Sequence, residues 1–438
     1  MIRSLVRRVV RVEDEEIAAM LVSFVLFFCV LSGWFVIRPI RDEVAAASGV
    51  SKLPWLFAGT LVLTLIVNPL FSALVVRFPA RRFIAITFHF FAANLFVFYL
   101  LFRRPENAAN PWMGPAFFWW TSMFNFFITS VFWCFMADVW KSEQAKRLFG
   151  FIGLGGTLGS VTGSAAAAAL AKSIGSANLV LISIALLECA VAAVVFYPRT
   201  TGPSLALGTT GSRSTNDEAI GGSAWAGVSR VFQSPYLIGI STWLLLYSFG
   251  STILYFAQSD IVGREYTDRA ARTTVLAQIE LAAQVLTIFV QLFFSGRIIR
   301  WLGLAVTLAL LPVLSMTGFT ALAAFPVFAT FAAFQVLRRA MNFSLSNPST
   351  EALFTVVTRE DKYKAKSFIE TFIYRGADQV GAWTYAGLAA IGLGLAGISL
   401  VAVPLGGVWL MLSLWLGRKQ SELAGETPSI GSPLPAVD

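Results

Sequence analysis

Charge is scarce in this chain. Asp, Glu, Lys and Arg together supply 13% of its 438 residues, about half the share usual in a soluble domain. Hydrophobic residues supply 57%, and the mean hydropathy is +0.72. That balance excludes a water-soluble enzyme. Histidine occurs once, at His89, inside an apolar run. A metal site, or a Ser-His-Asp or Cys-His set, would have to use it. The sequence therefore predicts no metal, no catalytic residues and no cofactor, and His89 reads as a packed or cavity side chain. The three cysteines, Cys29, Cys134 and Cys189, also lie in apolar runs. They read as small packing residues, not as a disulfide framework. No phosphate-binding loop of an ATPase is present, so ATP hydrolysis is not the expected drive. No exposed basic patch on a soluble module appears, which removes nucleic acid as a partner. No short apolar stretch followed by a small-residue cleavage site leads the chain, so no cleaved leader is expected.

What the chain has instead is apolar runs long enough to cross about 30 Å of hydrocarbon. They predict twelve spans, at 17–38, 53–76, 83–102, 114–138, 148–171, 176–197, 235–258, 273–296, 302–325, 327–357, 366–391 and 394–416. The stretch 199–224, rich in Gly, Ser, Thr and Arg, reads as a flexible polar linker. The predicted layout is a six-helix half at 1–198, a cytoplasmic linker at 199–234, a second six-helix half at 235–417 and a cytoplasmic tail at 418–438. The N-terminus, the C-terminus and the even-numbered loops hold 21 of the 33 basic residues, and the odd-numbered loops with their flanking span ends hold 9. The positive-inside rule then places both termini and the linker in the cytoplasm of a bacterial inner membrane.

The two halves carry the same features in the same order. Asn125-Phe126 before Ala145-Lys146-Arg147 parallels Asn342-Phe343 before Lys364-Ala365-Lys366. Gly156 precedes Gly376 by 220 residues. Arg41-Asp42 parallels Ser259-Asp260, and Arg77-x-x-x-Arg81-Arg82 parallels Arg297-x-x-Arg300. Six spans per half make the repeats parallel, related by an axis along the membrane normal. This pattern resembles the major facilitator superfamily: an all-α membrane protein of twelve transmembrane helices in two pseudo-symmetric halves. In that fold spans 1, 4, 7 and 10 line a central cavity, so the resemblance places residues of those spans there.

Charges inside spans are the candidate functional residues, because a charge at the bilayer centre costs about 2.5–3.5 kcal/mol on insertion scales. The stretch "WFVIRPIRDE" carries Arg38, Arg41, Asp42 and Glu43 at the end of the first apolar run, with Pro39 expected to kink or end the helix. Arg41 is the expected substrate contact, with Arg38 bracing the helix or doing the same. Span 7 ends in Gln258 and Asp260. Span 8 carries Glu280 and Gln284. Span 10 carries Arg338-Arg339, Asn342, Asn347-Pro348 and Glu351, and span 11 carries Glu370, Arg375 and Asp378. Span 4 adds Asn125 and the pair Trp119-Trp120, which reads as packing. Adjacent helical positions point about 100° apart, so Arg338 and Arg339 reach one cavity only if it is wide. Arginine forks fit phosphate and carboxylate. Candidate substrate-binding residues are Arg38, Arg41, Asn125, Arg338, Arg339 and Asn342. Candidate coupling or ion-pairing residues are Asp42, Asp260, Glu280, Glu351, Glu370 and Arg375. An ion-pair network that only locks the helices is the competing reading. In "GLGGTLGSVTG", Gly155, Gly159 and Gly163 are four apart, which predicts close helix packing.

Three stretches together resemble the ATP:ADP antiporter family, the nucleotide transporters of plastids and intracellular bacteria. In "WFVIRPIRDE", Arg38 followed by Arg41-Asp42 is similar to that family's Arg followed three residues later by Lys-Asp. In "FWCFMADVWKSEQAKRLFGFIGLGGTLGSVTGS", Phe132-Trp133, Phe135, Ala145-Lys146-Arg147, Gly153-Leu154-Gly155 and Gly163 or Ser164 match. In "NFSLSNPSTEALFTVVTREDKYKAKSFIETFIYR", Ser344, Pro348, Glu351, Lys362, Lys364, Lys366, Ile369 and Arg375 match in register. The chain departs from the family at Asn342, Thr350 and Asp378, where the family has Lys, at Asn347, where it has Asp, and at Gln144, where it has Glu. Loss of three lysines argues against a triphosphate held in the family's way. The expectation is a monomeric secondary transporter working by alternating access on a small anionic substrate, nucleotide-like or otherwise phosphorylated. Lys146, Arg147, Lys364 and Lys366 are then expected at gating loops. A transporter of a lipid-like amphiphile, and a membrane partner protein that kept the fold and lost transport, are the alternatives.

Overall fold

The computed structural model describes residues 12–77, 80–104, 106, 110–140, 142–198, 231–357, 366 and 368–425. Helices account for nearly all of them. The spans are α1 (Ile17–Ser48), α2 (Leu53–Arg77), α3 (Ala80–Phe102), α4 (Met113–Val139), α5 (Ser142–Ile174) and α6 (Ser176–Val195). The second series is α7 (Pro235–Glu265), α8 (Arg269–Val290), α9 (Gly296–Ala324), α10 (Phe328–Met341), α11 (Tyr374–Ala390) and α12 (Leu395–Leu423). Eight of these helices, and one 56-residue stretch covering α8 and α9, are long and apolar enough to cross a membrane among the described residues. The exceptions are α10 and α11, of 14 and 17 residues. Both are too short to cross on their own, α10 because the π bulge at Asn342–Ser346 ends it and α11 because the π bulge at Ile369–Ile373 precedes it. The predicted linker at 199–224 lies outside the described residues.

The chain divides into two compact units, Met1–Ser212 with Ser259–Val285, and Arg213–Gln258 with Leu286–Asp438. In the first unit α1 is the central element. Gly155, Gly159 and Gly163 of α5 face the carbonyl oxygens of Phe24, Phe28 and Ser32 of α1, and a Cβ on any of the three would stand 2.4 Å from the oxygen opposite. Two rows with the same four-residue spacing thus mesh backbone to backbone. Around this seam the aromatics pack as rings. Phe27 stacks on Phe132 at 4.1 Å, and Trp120 stacks on Phe124 at 5.3 Å. The Trp119 indole donates to the Leu56 carbonyl at 2.9 Å. Trp119 and Trp120 are therefore packing residues.

The second unit has its own core of Tyr236, Leu237, Ile240, Trp243, Leu308, Leu311, Leu353, Trp409 and Leu416, among others. The Trp243 indole donates to Ser413 Oγ at 2.8 Å. Helix α9 breaks at Gly303, whose φ of 71° lies in the left-handed region that favours glycine. Three π-helical stretches interrupt the spans here, at Gln291–Ser295, Asn342–Ser346 and Ile369–Ile373. The first two are tied together: Gln291 Nε2 donates to the Phe343 carbonyl at 3.1 Å, and Ser295 Oγ to the Ser344 carbonyl at 2.8 Å. Such bulges shift the register of a helix and leave carbonyls for other donors. The predicted continuous span 327–357 is therefore α10, a π bulge and a further short helix, Asn347–Leu353.

Three expectations are corrected. Helix α1 runs ten residues past its predicted end, with Pro39 in its interior. Proline removes one backbone donor, but buried spans tolerate that loss where neighbours fill in. "WFVIRPIRDE" is thus interior helix rather than a helix end. His89 is neither packed nor in a cavity. It lies on an exposed face of α3, its Nδ1 3.0 Å from Glu188 Oε1 of α6. Of the cysteines, only Cys29 is buried, while Cys134 and Cys189 are exposed.

Replacing Gly159 by Leu drives a side chain into the Phe28 backbone. It is expected to destabilise the protein by about 1–3 kcal/mol or more, read as a lowered thermal midpoint in detergent. Gly153→Ala, on the same helix with nothing within 4 Å of its would-be Cβ, is expected to leave the midpoint unchanged.

Candidate functional site

The sequence-predicted charges fall into two groups. The first surrounds α1. Arg38 Nη1 donates to Glu280 Oε1 of α8 at 3.2 Å, and its Nε lies 4.0 Å from Asp42 Oδ2. Arg41 grips Asp42 Oδ1 through Nη2 at 2.8 Å and Nε at 3.0 Å. Both guanidinia also lie over rings, Arg38 over Phe35 at 5.5 Å and Arg41 over Trp34 at 5.5 Å and Phe118 at 5.4 Å. Glu280 takes a second donor, Gln284 Nε2 at 2.9 Å, and Gln284 in turn accepts from Ser160 Oγ of α5 at 3.2 Å. Asp260 does not join this group. It pairs with Arg264 one turn on, at 2.8 Å.

The residue that sequence reasoning left out of the site is Glu43. Its carboxylate is 2% exposed. Arg269 Nε reaches Oε2 at 3.1 Å, and Arg272 reaches Oε1 through Nη2 at 2.8 Å and Nε at 3.1 Å. Arg269 additionally sits over the Phe102 ring at 4.7 Å. The signal was in the chain. No helix breaker follows Asp42 until Gly49, so α1 had to carry Glu43 on into the protein, where an unpaired carboxylate is costly. Arg269 and Arg272 counted only as loop charges in the topology reading.

The second group lies around the middle of α7. Arg338 of α10 is 4% exposed. Its Nη2 donates to the Tyr247 carbonyl at 3.1 Å and its Nε to Ser315 Oγ at 3.3 Å, with the guanidinium 5.2 Å from the Tyr247 ring. These partners are all neutral, and no carboxylate among the described residues is paired with it. A narrow cavity lined by Leu246, Gly250, Ser315, Phe319 and Trp409 lies alongside. Arg339, next in sequence, is half-buried. On the other side of α7, Asp378 of α11 accepts from Ser248 Oγ and, at 3.2 Å, from Thr252 Oγ1, while Arg375 Nη1 stands 3.8 Å from its Oδ2. Asn342 is buried in the π bulge after α10, and Asn125 is half-buried on α4.

The loop cations are held by carboxylates. Arg147 Nη2 reaches Glu16 Oε1 at 3.0 Å, which also accepts from Gln144 Nε2 at 2.7 Å. Lys366 Nζ reaches Glu351 at 2.7 Å. Lys364 and the side chains of Lys146 and Glu370 lie outside the described residues.

With this geometry in view, the fold is an all-helical membrane fold of twelve main helices, similar to those of several solved transporters. A bacterial homologue of the iron transporter ferroportin in its inward-facing state superposes with a TM-score of 0.63 at 12% identity, covering 92% of this chain and 100% of that one. A bacterial homologue of the human lysosomal transporter Spinster, also inward-facing, gives 0.60 at 13% identity, covering 96% and 100%. The nucleoside transporter NupG gives 0.56 at 14% identity, covering 92% and 98%. No family model matches the sequence, and no curated protein does. Identities this low speak for the fold alone.

Removing one partner of a buried pair leaves the other uncompensated, at about 3–5 kcal/mol. Glu43→Gln is therefore expected to lower the thermal midpoint in detergent by several degrees. Arg264→Gln, whose side chain is 76% exposed in its pair with Asp260, is expected to move it by no more than a degree or so, as exposed pairs contribute about 0–1 kcal/mol.

Proposed function

We propose that this protein is a secondary transporter working by alternating access, and that its substrate is a small anion, nucleotide-like or otherwise phosphorylated. The observation that carries this reading is Arg338: a guanidinium buried in a membrane helix whose described partners are a hydroxyl, a carbonyl and a ring. Charge inside a span is expensive and marks substrate or ion pathways. Neutral dipoles solvate a guanidinium but leave its charge uncancelled, which a phosphate or carboxylate would complete. The network around α1 leans the same way. Among the described residues, the guanidinia of Arg38, Arg41, Arg269 and Arg272 cluster with the carboxylates of Asp42, Glu43 and Glu280.

In this reading Arg38, Arg41, Arg338 and Arg339 supply positive charge, and Asn125 and Asn342 supply hydrogen bonds. The pairs of α1 with α8, Arg38 with Glu280 and Glu43 with Arg269 and Arg272, join a helix of the first half to one of the second. They are the contacts that break and re-form as access alternates. Arg147 and Lys366, with Lys146 and Lys364, act at the loops that gate. The distribution of basic residues supports a bacterial inner-membrane location with both termini in the cytoplasm. The departures at Asn342, Thr350 and Asp378 support a substrate smaller than a nucleoside triphosphate.

The test is thermal stability of the purified protein in detergent against ATP, ADP, AMP, sugar phosphates, inorganic phosphate and lipids. A compound at 100 times its dissociation constant adds about 2.7 kcal/mol. A phosphorylated compound is expected to raise the midpoint of the wild type, and Arg41→Ala and Arg338→Lys are expected to lose that rise. A rise with lipids alone would favour an amphiphile as substrate. An equal response of wild type and both variants to every anion would make the arginines purely structural.

A further inference from the structure

One acid and one base of the first unit face outward in mid-membrane. His89 lies near the middle of the 23-residue α3, and Glu188 near the middle of the 20-residue α6. Their side chains are 56% and 44% exposed. Exposed charges elsewhere, such as Asp138, Lys172 and Arg264, stand in the last turns of their helices, close to the membrane surface. Ionisable groups within a span almost always turn toward protein or a water-filled cavity, because hydrocarbon solvates neither acid nor base. His89 and Glu188 share one hydrogen bond, Nδ1 to Oε1 at 3.0 Å. Among the described residues His89 Nε2 and Glu188 Oε2 have no partner.

The face around the pair also has a shape. On α3 the exposed Ile86, Phe90 and Val97 form a ridge of large side chains. On α6 the exposed Ala185, Cys189 and Ala192 form a shallow strip of small ones. Small residues at such spacing let another helix come close, and polar side chains hold helices together in lipid. Ridge and strip lie side by side, because α3 and α6 pack along each other. Such a face is its own complement. His89 and Glu188 touch, so they lie at one depth in the membrane. A two-fold axis along the membrane normal keeps depth and exchanges left with right. It sets His89 of one copy before Glu188 of the other, and the ridge of one before the strip of the other. Nε2 of each imidazole then meets a carboxylate of the opposite copy, and the four groups close into a ring of alternating base and acid. An imidazole that donates from both nitrogens is charged, and the two carboxylates balance the two charges. A foreign helix would have to bring an acid and a base at this depth in the reverse order. A second copy brings them by symmetry.

We propose that this protein forms a two-fold dimer through its α3–α6 face, with the two His89–Glu188 pairs at the centre. The dimer takes the place of the monomer expected from the sequence, and it holds whatever the substrate is.

The test uses the full chain with one dye at its C-terminus, in liposomes of phosphatidylethanolamine and phosphatidylglycerol over a range of protein-to-lipid ratios. Stepwise photobleaching counts the copies in each spot, and energy transfer between two dye colours reports mixing. The wild type is expected to form dimers. His89→Glu and Glu188→His, each alone, set like groups against like across the axis and are expected to weaken dimerisation by about tenfold or more. Mixed together, the two variants are expected to regain dimers, because acid again faces base at both positions. That recovery also shows both variants to be folded. Ala185→Trp, which fills the strip at an exposed position, is expected to weaken the dimer as well. Val313→Trp, at an exposed position of α9 in the second unit, is expected to leave it unchanged. A wild type that stays monomeric at every ratio overturns the proposal, even if another membrane protein copurifies with it. So do single variants that dimerise as well as the wild type, a mixture that recovers nothing, or a dimer indifferent to Ala185→Trp.

Discussion

Hydrocarbon does not solvate charge. Every carboxylate and guanidinium in the spans of this protein must find compensation within the protein, or cost several kilocalories each. That constraint organises the structure more than any apolar contact does. It fixes which face of α1 turns inward, because Arg38, Asp42 and Glu43 all need partners that lie there. It ties α8 to α1 by three ion pairs and α7 to α10 and α11 by hydrogen bonds. Leucine and phenylalanine are equally content against lipid or against each other, so they fill the space this network defines without choosing its shape.

The two units meet the constraint differently. Around α1 charge is met by charge, through pairs at 2.8 to 3.2 Å. Around the middle of α7 it is met mainly by neutral dipoles: hydroxyls, carbonyls and a tyrosine ring. Ion pairs are self-contained and hold two helices until both partners move. Dipoles leave net charge behind, and net charge responds to whatever arrives. The same kinds of residue are thus held in two different ways by a choice of partner.

Much of the fold was legible in the sequence. Apolar runs give the long helices in their order along the chain, because crossing a bilayer imposes a length and a composition that survive when specific residues do not. The glycine stripe of α5 was legible for the same reason: close approach permits few residue types. The site was legible only as a set of unusual residues. That Glu280 belongs to Arg38, or that Glu43 takes two arginines, depends on which residues of distant helices face one another, and no local pattern encodes it. The π bulges were also invisible. They come from how carbonyls are satisfied in three dimensions, and "NFSLSNPS" alone reads as continuous helix. Exposed His89 misled because an apolar run says that a helix lies in the membrane, not which of its faces meets lipid.

The seam between α1 and α5 has a mechanical side. Two helices whose backbones come close along three successive turns, with the Phe24 ring and Phe35 Cβ wedged at the edges of the contact, resist sliding or rolling past one another. They behave as one doubled beam, and a beam of twice the depth resists bending far more than its parts do singly. Arg38 and Arg41 are mounted on that beam just beyond its last glycine contact. The seam therefore fixes where Arg38 and Arg41 stand relative to α5, as mounts on a rigid pair rather than on a lone helix.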